Sequence, residues 1–190
     1  MIKVGKDDGG GMMYSNVSDL PRLNWHEAFM AIACVYAMRS PDSSTRHGCV
    51  IVNRDNVPVG CGYNGFPKGG KNDDVYDTGR PGKYRVTAHS ELNALLNRSI
   101  NCTGGTAYIT GKPCCGCMVA MIQGGVANVI YGKIGSHCVN DEDWSATQLM
   151  ADNCGIRLIE YSVAGDNQLE PFMALNVTNE YLRLKGWMDK

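Results

Sequence analysis

From Ala88 onward the chain switches in turn between helical and extended apolar patterns. A helix from about Ala88 to Asn97 is followed by a strand at Thr106 to Thr110, a helix from about Cys114 to Gln123 and a strand at Asn128 to Tyr131. A helix near Trp144 to Asn153 and a strand at Ile156 to Tyr161 continue the series. Strands separated by single helices lie side by side with the helices packed over them, so this alternation predicts a layered α/β sheet. Ahead of it, Phe29, Ile32, Ala33, Tyr36 and Ala37 recur at helical spacing between Trp25 and Arg39. That helix has to stop before Ser40-Pro41, because a proline disfavours helical backbone in the residue preceding it. Cys49 to Val52 and Val57 to Cys61 flank Asn53-Arg54-Asp55-Asn56 and read as a hairpin. A last helix is expected from about Pro171 to Leu184. The sum is a three-layer α/β/α fold with a mixed sheet of about five strands and helices on both faces. Residues 1–23, which include Asp7-Asp8-Gly9-Gly10-Gly11, lack periodicity and read as a flexible leader to one domain over 24–190. The polar stretch from Lys71 to Val86 is long for a loop and is a candidate lid.

A chain of 190 residues with 44% hydrophobic content closes one full core. Its 18 Lys and Arg against 19 Asp and Glu leave no basic footprint for a nucleic acid, so a small ligand fits better than a polyanion. No apolar run approaches the roughly 20 residues of a membrane span, and no signal peptide is recognisable. The nine cysteines are an odd number, and a reducing cytoplasm is the expected location. There, clustered cysteines are metal ligands more often than disulfides.

Two motifs carry the chemistry. Cys114 and Cys117, within Pro113-Cys114-Cys115-Gly116-Cys117, stand three apart at a helix start, so both sulfurs face one side and can share a tetrahedral metal. The free amides and dipole of that helix start favour thiolates. Cys115 points elsewhere and is not expected to ligate. His89, at another helix start, supplies a third ligand. Glu91 follows two residues later, about 200° around the helix, beside the metal rather than on it. Two thiolates and one imidazole leave the fourth position of a zinc ion open for water. A structural zinc would instead need a fourth protein ligand, for which His137, Cys138 or Cys102 are available; that arrangement leaves Glu91 without a purpose. His26 and His47 stand outside any ligand spacing, and Cys34, Cys49, Cys61 and Cys154 read as small core residues.

His-x-Glu followed by Pro-Cys-x-x-Cys is the signature of zinc deaminases, in which the glutamate carries protons and is not a ligand. The chain resembles the deoxycytidylate deaminases in particular, from Trp25 to Tyr161. Phe29-Met30-Ala31-Ile32-Ala33 and Arg39-Ser40-Pro41-Asp42 look like the family's first helix and its exit. His47-Gly48-Cys49-Val50-Ile51-Val52-Asn53 is similar to its first strand, with His47 replacing an apolar residue. Gly62-Tyr63-Asn64-Gly65-Phe66-Pro67 matches the loop that sets the group apart, and Asn72-Asp73-Asp74-Val75 resembles an acidic segment found after it in some members. His89-Ser90-Glu91-Leu92-Asn93-Ala94 differs from the family pattern only at Ser90.

The resemblance implies a cytidine deaminase-like fold and zinc-dependent hydrolysis of dCMP to dUMP and ammonia, feeding thymidylate synthesis. It further implies a homohexamer activated by dCTP and inhibited by dTTP, each with magnesium. By matching position, Asn64 contacts substrate, and Gly62, Tyr63, Gly65, Phe66 and Lys68 help form the effector site. For the 5′-phosphate, Lys68, Lys71, Arg80, Lys83 and Arg85 are candidates, with Arg46 and Arg98 further off. No His/Cys cluster between Lys71 and Ala88 suggests a second zinc.

Overall fold

The computed structural model describes residues 5–6, 12–13, 16–20, 22–69, 76, 81–134, 139–161 and 184–185. The chain divides into two compact units, residues 1–31 with 163–190, and residues 32–162. In the first, Gly5–Lys6 (β1) and Met12–Met13 (β2) pair antiparallel, and Val17–Asp19 forms a 3-10 turn. The helix Trp25–Ala37 (α1) begins in this unit. Its start is set by a reciprocal pair: the Glu27 N–H donates to the Asn24 side chain at 3.0 Å, and the Asn24 N–H donates to the Glu27 carboxylate at 2.6 Å. Two amides with no partner inside the helix are thereby satisfied. The flexibility expected of residues 1–23 and the helix expected over 171–184 fall mostly outside the described residues.

In the second unit the chain runs through Gly48–Val52 (β3), Pro58–Tyr63 (β4), Ser90–Leu96 (α2), Thr106–Ile109 (β5), Cys115–Gln123 (α3), Asn128–Tyr131 (β6), Asp141–Cys154 (α4) and Arg157–Glu160 (β7). The strand order is β4-β3-β5-β6-β7. β3 lies antiparallel to β4 and β5, whereas β5, β6 and β7 are parallel, joined by α3 and α4. A hairpin leading into two strand-helix-strand crossovers produces this mixed order, which is the five-stranded sheet the apolar alternation predicts.

Side chains alternate across β3, and the two faces meet different helices. Cys49 and Ile51 enter the main core with Ala94 and Leu95 of α2 and Met118 and Met121 of α3. On the opposite face, a Cβ at Gly48 would run into the Ala33 carbonyl of α1. One layer is therefore α1, and α2 and α3 form the other. Glycine is needed again where β4 passes beneath α2: a Cβ at Gly62 would collide with the backbone of Ser90 and Ala94. Gly62→Ala is expected to destabilise the protein by about 1–3 kcal/mol, the usual cost of forcing packed backbones apart. Urea unfolding at constant slope measures it, and an unchanged midpoint would contradict this packing.

The helix expected near Trp144 starts earlier, at Asp141. Asn140 caps it by accepting the Asp143 N–H at 2.8 Å, and Asp141, Glu142 and Asp143 complement the positive end of the helix. This acidic turn has no apolar residue for a periodicity to register. The helix ends at Gly155, whose φ of 69° is left-handed. Among the described residues no helix is long and apolar enough to cross a membrane.

Candidate active site

His89 and Cys114 hold equivalent places in the fold. Each is the extended residue just ahead of its helix, His89 for α2 and Cys114 for α3. Ahead of His89 the chain is fastened to the end of β4, because the Gly65 N–H donates to Ala88 O at 3.0 Å and the Ala88 N–H donates to Gly65 O at 2.8 Å. Cys117 sits in the first turn of α3, on the same side as Cys114. His89 Nδ1 lies 3.4 Å from Cys114 Sγ and 3.3 Å from Cys117 Sγ. The three donor atoms all fall within 4.8 Å of one another.

Zinc with bonds of about 2.0–2.3 Å places tetrahedral ligand atoms about 3.5–3.8 Å apart, so this set fits that ion. Among the described residues no fourth His, Cys, Asp or Glu joins the set. Cys102, one of the ligands that could have closed a structural site, is buried elsewhere and donates its thiol to Gly124 O at 3.1 Å. His137 and Cys138 lie outside the described residues. Cys115 turns away from the set, its thiol 3.0 Å from Asp143 Oδ1.

The donors influence one another's protons. Cys114 is held as a thiolate, its pKa lowered to about 4, chiefly by the hydrogen bond from the Cys117 thiol; burial opposes this, and the hydrogen bond from His89 adds to it. Cys117 is correspondingly pushed far up, by its hydrogen bond to Cys114 and by burial. His89 rises to about 9, first because of its hydrogen bond to Cys114 and against the opposing effect of burial. A metal entering the set must displace the protons of Cys117 and His89, so metal affinity rises with pH.

Glu91 is only 5% exposed and stands outside the donor set. One of its oxygens, Oε2, accepts the Ser90 hydroxyl at 2.7 Å, and its charge helps to raise Cys117 and His89. Together with His89 and Cys114 it lines a cleft of about 470 Å³, which also takes in Asp42, His47, Asn64 and Lys83. Clefts of that volume suit small-molecule ligands.

Asn64 lines this cleft and is buried. Its Oδ1 accepts the His47 N–H at 2.7 Å, and its Nδ2 donates to Thr45 O at 3.0 Å and to Asp42 Oδ2 at 3.3 Å. The amide is locked in one orientation. Around it, Gly62 packs against α2, the Tyr63 carbonyl accepts Asn93 Nδ2 at 2.8 Å, and Gly65 makes the bridge to Ala88. Phe66 stacks on Tyr76 with ring centroids 4.8 Å apart, and Lys68 donates to Asn97 Oδ1. None of Gly62, Tyr63, Gly65, Phe66 and Lys68 lines the cleft.

Sequence reasoning overlooked Asp42 and read His47 as a residue away from chemistry. Both line the cleft. A local signal for Asp42 was present, since its Oδ1 accepts the Ser44 and Thr45 amides at 2.7 and 3.0 Å, the turn pattern that Asp followed by Ser and Thr favours. His47 fits because Gly111 opposite has no side chain: a Cβ there would come 2.6 Å from the imidazole Cε1. Of the cations considered for phosphate, Lys83 lines the cleft, and Lys71 and Arg80 lie outside the described residues.

Residues 23–133 match the family model described as the cytidine and deoxycytidylate deaminase zinc-binding region. The deoxycytidylate deaminase of Pongo abelii is 35% identical over an alignment of 144 residues that covers 70% of this chain and 78% of that protein. The probable deoxycytidylate deaminase of Caenorhabditis elegans is 40% identical over 137 residues, 68% of this chain and 66% of that one. The fold superposes on the apo dCMP deaminase of cyanophage S-TIM5 with a TM-score of 0.55 at 24% identity, covering 72% of this chain and 96% of that structure. With a family match over more than half its length and a His/Cys/Cys set assembled at two helix starts, this chain belongs to the cytidine and deoxycytidylate deaminase family.

Proposed function

We propose that this chain hydrolyses dCMP to dUMP and ammonia, with zinc held by His89, Cys114 and Cys117 and with Glu91 moving the protons. The observation that carries the reading is the buried Glu91 carboxylate, beside the three-donor set but outside it, on the wall of the cleft. A carboxylate buried beside the donor set and not part of it is costly to fold around, and it is retained where it has chemistry to do. Zinc in this set supplies Lewis-acid activation of water. Glu91 would accept one proton of that water and deliver it to the ring nitrogen next to the attacked carbon, then take the second from the hydroxyl added to that carbon and give it to the amino group, which leaves as ammonia as the carbonyl forms. The Ser90 hydroxyl donates to Oε2 and so holds the carboxylate in place.

The deoxycytidylate deaminases among the relatives support dCMP as substrate. Activation by dCTP, inhibition by dTTP with magnesium, hexamer formation and a place before thymidylate synthesis rest on the family resemblance from Trp25 to Tyr161, a cytoplasmic location rests on the cysteine usage, and together they complete the reading. Ammonia release from dCMP, CMP, deoxycytidine and dCTP, with and without dCTP or dTTP plus magnesium, tests it. Preference for dCMP with opposite effector responses is the expected result; preference for another of the four would move the substrate assignment. Asn64→Ala is expected to lower kcat/KM for dCMP about 10- to 100-fold while zinc stays bound, since it removes three hydrogen bonds from the cleft wall but none from the donor set. Unchanged kinetics would remove Asn64 from the site.

A further inference from the structure

We infer that Lys83 is the cation that binds the 5′-phosphate of the nucleotide, with Asp42 as the positioning residue that aims it; the inference rests on the monophosphate reading above. Lys83 is the only Lys or Arg among the described residues that lines the cleft holding Glu91 and the donor set. The alternatives among the described residues are engaged or placed elsewhere. Lys68 is exposed and donates to Asn97, Arg46 and Arg85 are exposed and off the cleft, and Arg98 lines a separate groove with Asn101 and Gln123.

Lys83 is buried, at 5% exposure. It donates to Asp42 Oδ1 at 2.8 Å and to Asp42 Oδ2 at 2.7 Å. An ammonium has three donors, and this pair engages two of them. Asp42 is itself heavily subscribed, accepting also from the Ser44 and Thr45 amides and from Asn64 Nδ2. Burial works to raise its pKa, but the hydrogen bonds from Lys83 and those two amides outweigh it and hold the carboxylate below its ordinary range. Asp42 thus stays charged and fixed, and it holds Lys83 in one direction rather than being free to follow it.

The position along the cleft suits a phosphate. A side pocket of about 10 Å³ shares Asp42, Asn64, Lys83 and Thr87 with the cleft and contains none of His89, Glu91 and Cys114. Lys83 thus also lines a wall that the metal donors and Glu91 do not. A nucleotide with its base at the donor set and Glu91 directs its phosphate away from them, and Lys83, Thr45 and Thr87 line the same cleft. A buried ion pair is weak evidence for stability, and this one stands on the wall of the cleft.

The experiment compares kcat/KM for dCMP and for deoxycytidine in the zinc-loaded full-length protein, its Lys83→Met and Lys83→Arg variants, and the double variant Asp42→Asn with Lys83→Met. The double variant avoids stranding a buried carboxylate if Lys83→Met alone folds poorly. The expected result is a 30- to 100-fold fall in the dCMP to deoxycytidine ratio for both Met-containing variants, as loss of a charge-assisted contact predicts. Lys83→Arg is expected to restore much of the ratio. Parallel losses for the two substrates, leaving the ratio as in the unmodified protein, would make the pair a structural strut and overturn the inference. An unmodified protein that prefers the nucleoside would instead overturn the monophosphate reading itself, whatever the variants do.

Discussion

Glu91→Gln is expected to lower kcat for dCMP by about 10²- to 10⁴-fold, the contribution of a positioned acid–base group, while zinc content and unfolding midpoint stay close to those of the unmodified protein. The expectation follows from where the side chain is held. Gln preserves the volume of a residue that is 5% exposed, and its carbonyl can still accept the Ser90 hydroxyl now bound to Oε2. What it lacks is the capacity to take up and return a proton. If one carboxylate serves both the ring nitrogen and the amino group, as proposed, its loss affects both proton transfers. Single-turnover kinetics with metal analysis on the same sample make the measurement, and a variant within tenfold of the unmodified rate would assign the proton transfers to another residue.

The second large effect is expected at Cys117. Cys117→Ala removes one of the three donors found among the described residues and also the thiol that holds Cys114 as a thiolate. Cys114 should then return toward an ordinary thiol pKa from about 4, so the remaining pair of ligands is weaker as well as smaller. Zinc measured by plasma mass spectrometry after dialysis should fall to near zero and turnover to background. Cys115→Ala is the matched comparison, because that sulfur faces Asp143 and not His89; it should keep a full complement of zinc. If both variants held the metal equally, the donor set would need to be redrawn.

Much of this architecture is readable from residue order alone, for identifiable reasons. The donor set was legible because its geometry is local: Cys114 and Cys117 share a helical turn, and His89 and Glu91 fall on one short segment. The sheet was legible because β5, α3, β6, α4 and β7 keep distinct apolar periods. The Lys83–Asp42 pair was not, since its members are 41 residues apart and meet only when the segment before α2 folds over the exit of α1. His47 escaped for a related reason: whether a residue at a strand entry lines a cleft depends on what lies opposite, here a glycine from another strand's end. The Asp141 turn was missed because capping by Asn140 leaves no apolar mark.

The close passage of β4 under α2 also bears on how such a site can be inherited or engineered. Gly62 has no side chain because the Ser90 and Ala94 backbones occupy its space, and the next residue's carbonyl is held by Asn93 of the same helix. The Gly62-Tyr63-Asn64-Gly65 loop and the His89-Ser90-Glu91-Leu92-Asn93 helix start are thus two halves of one joint. A chimera that imports a relative's loop without the matching helix would meet a steric and hydrogen-bonding mismatch before any question of substrate arose, so the two motifs form a single module to be exchanged together.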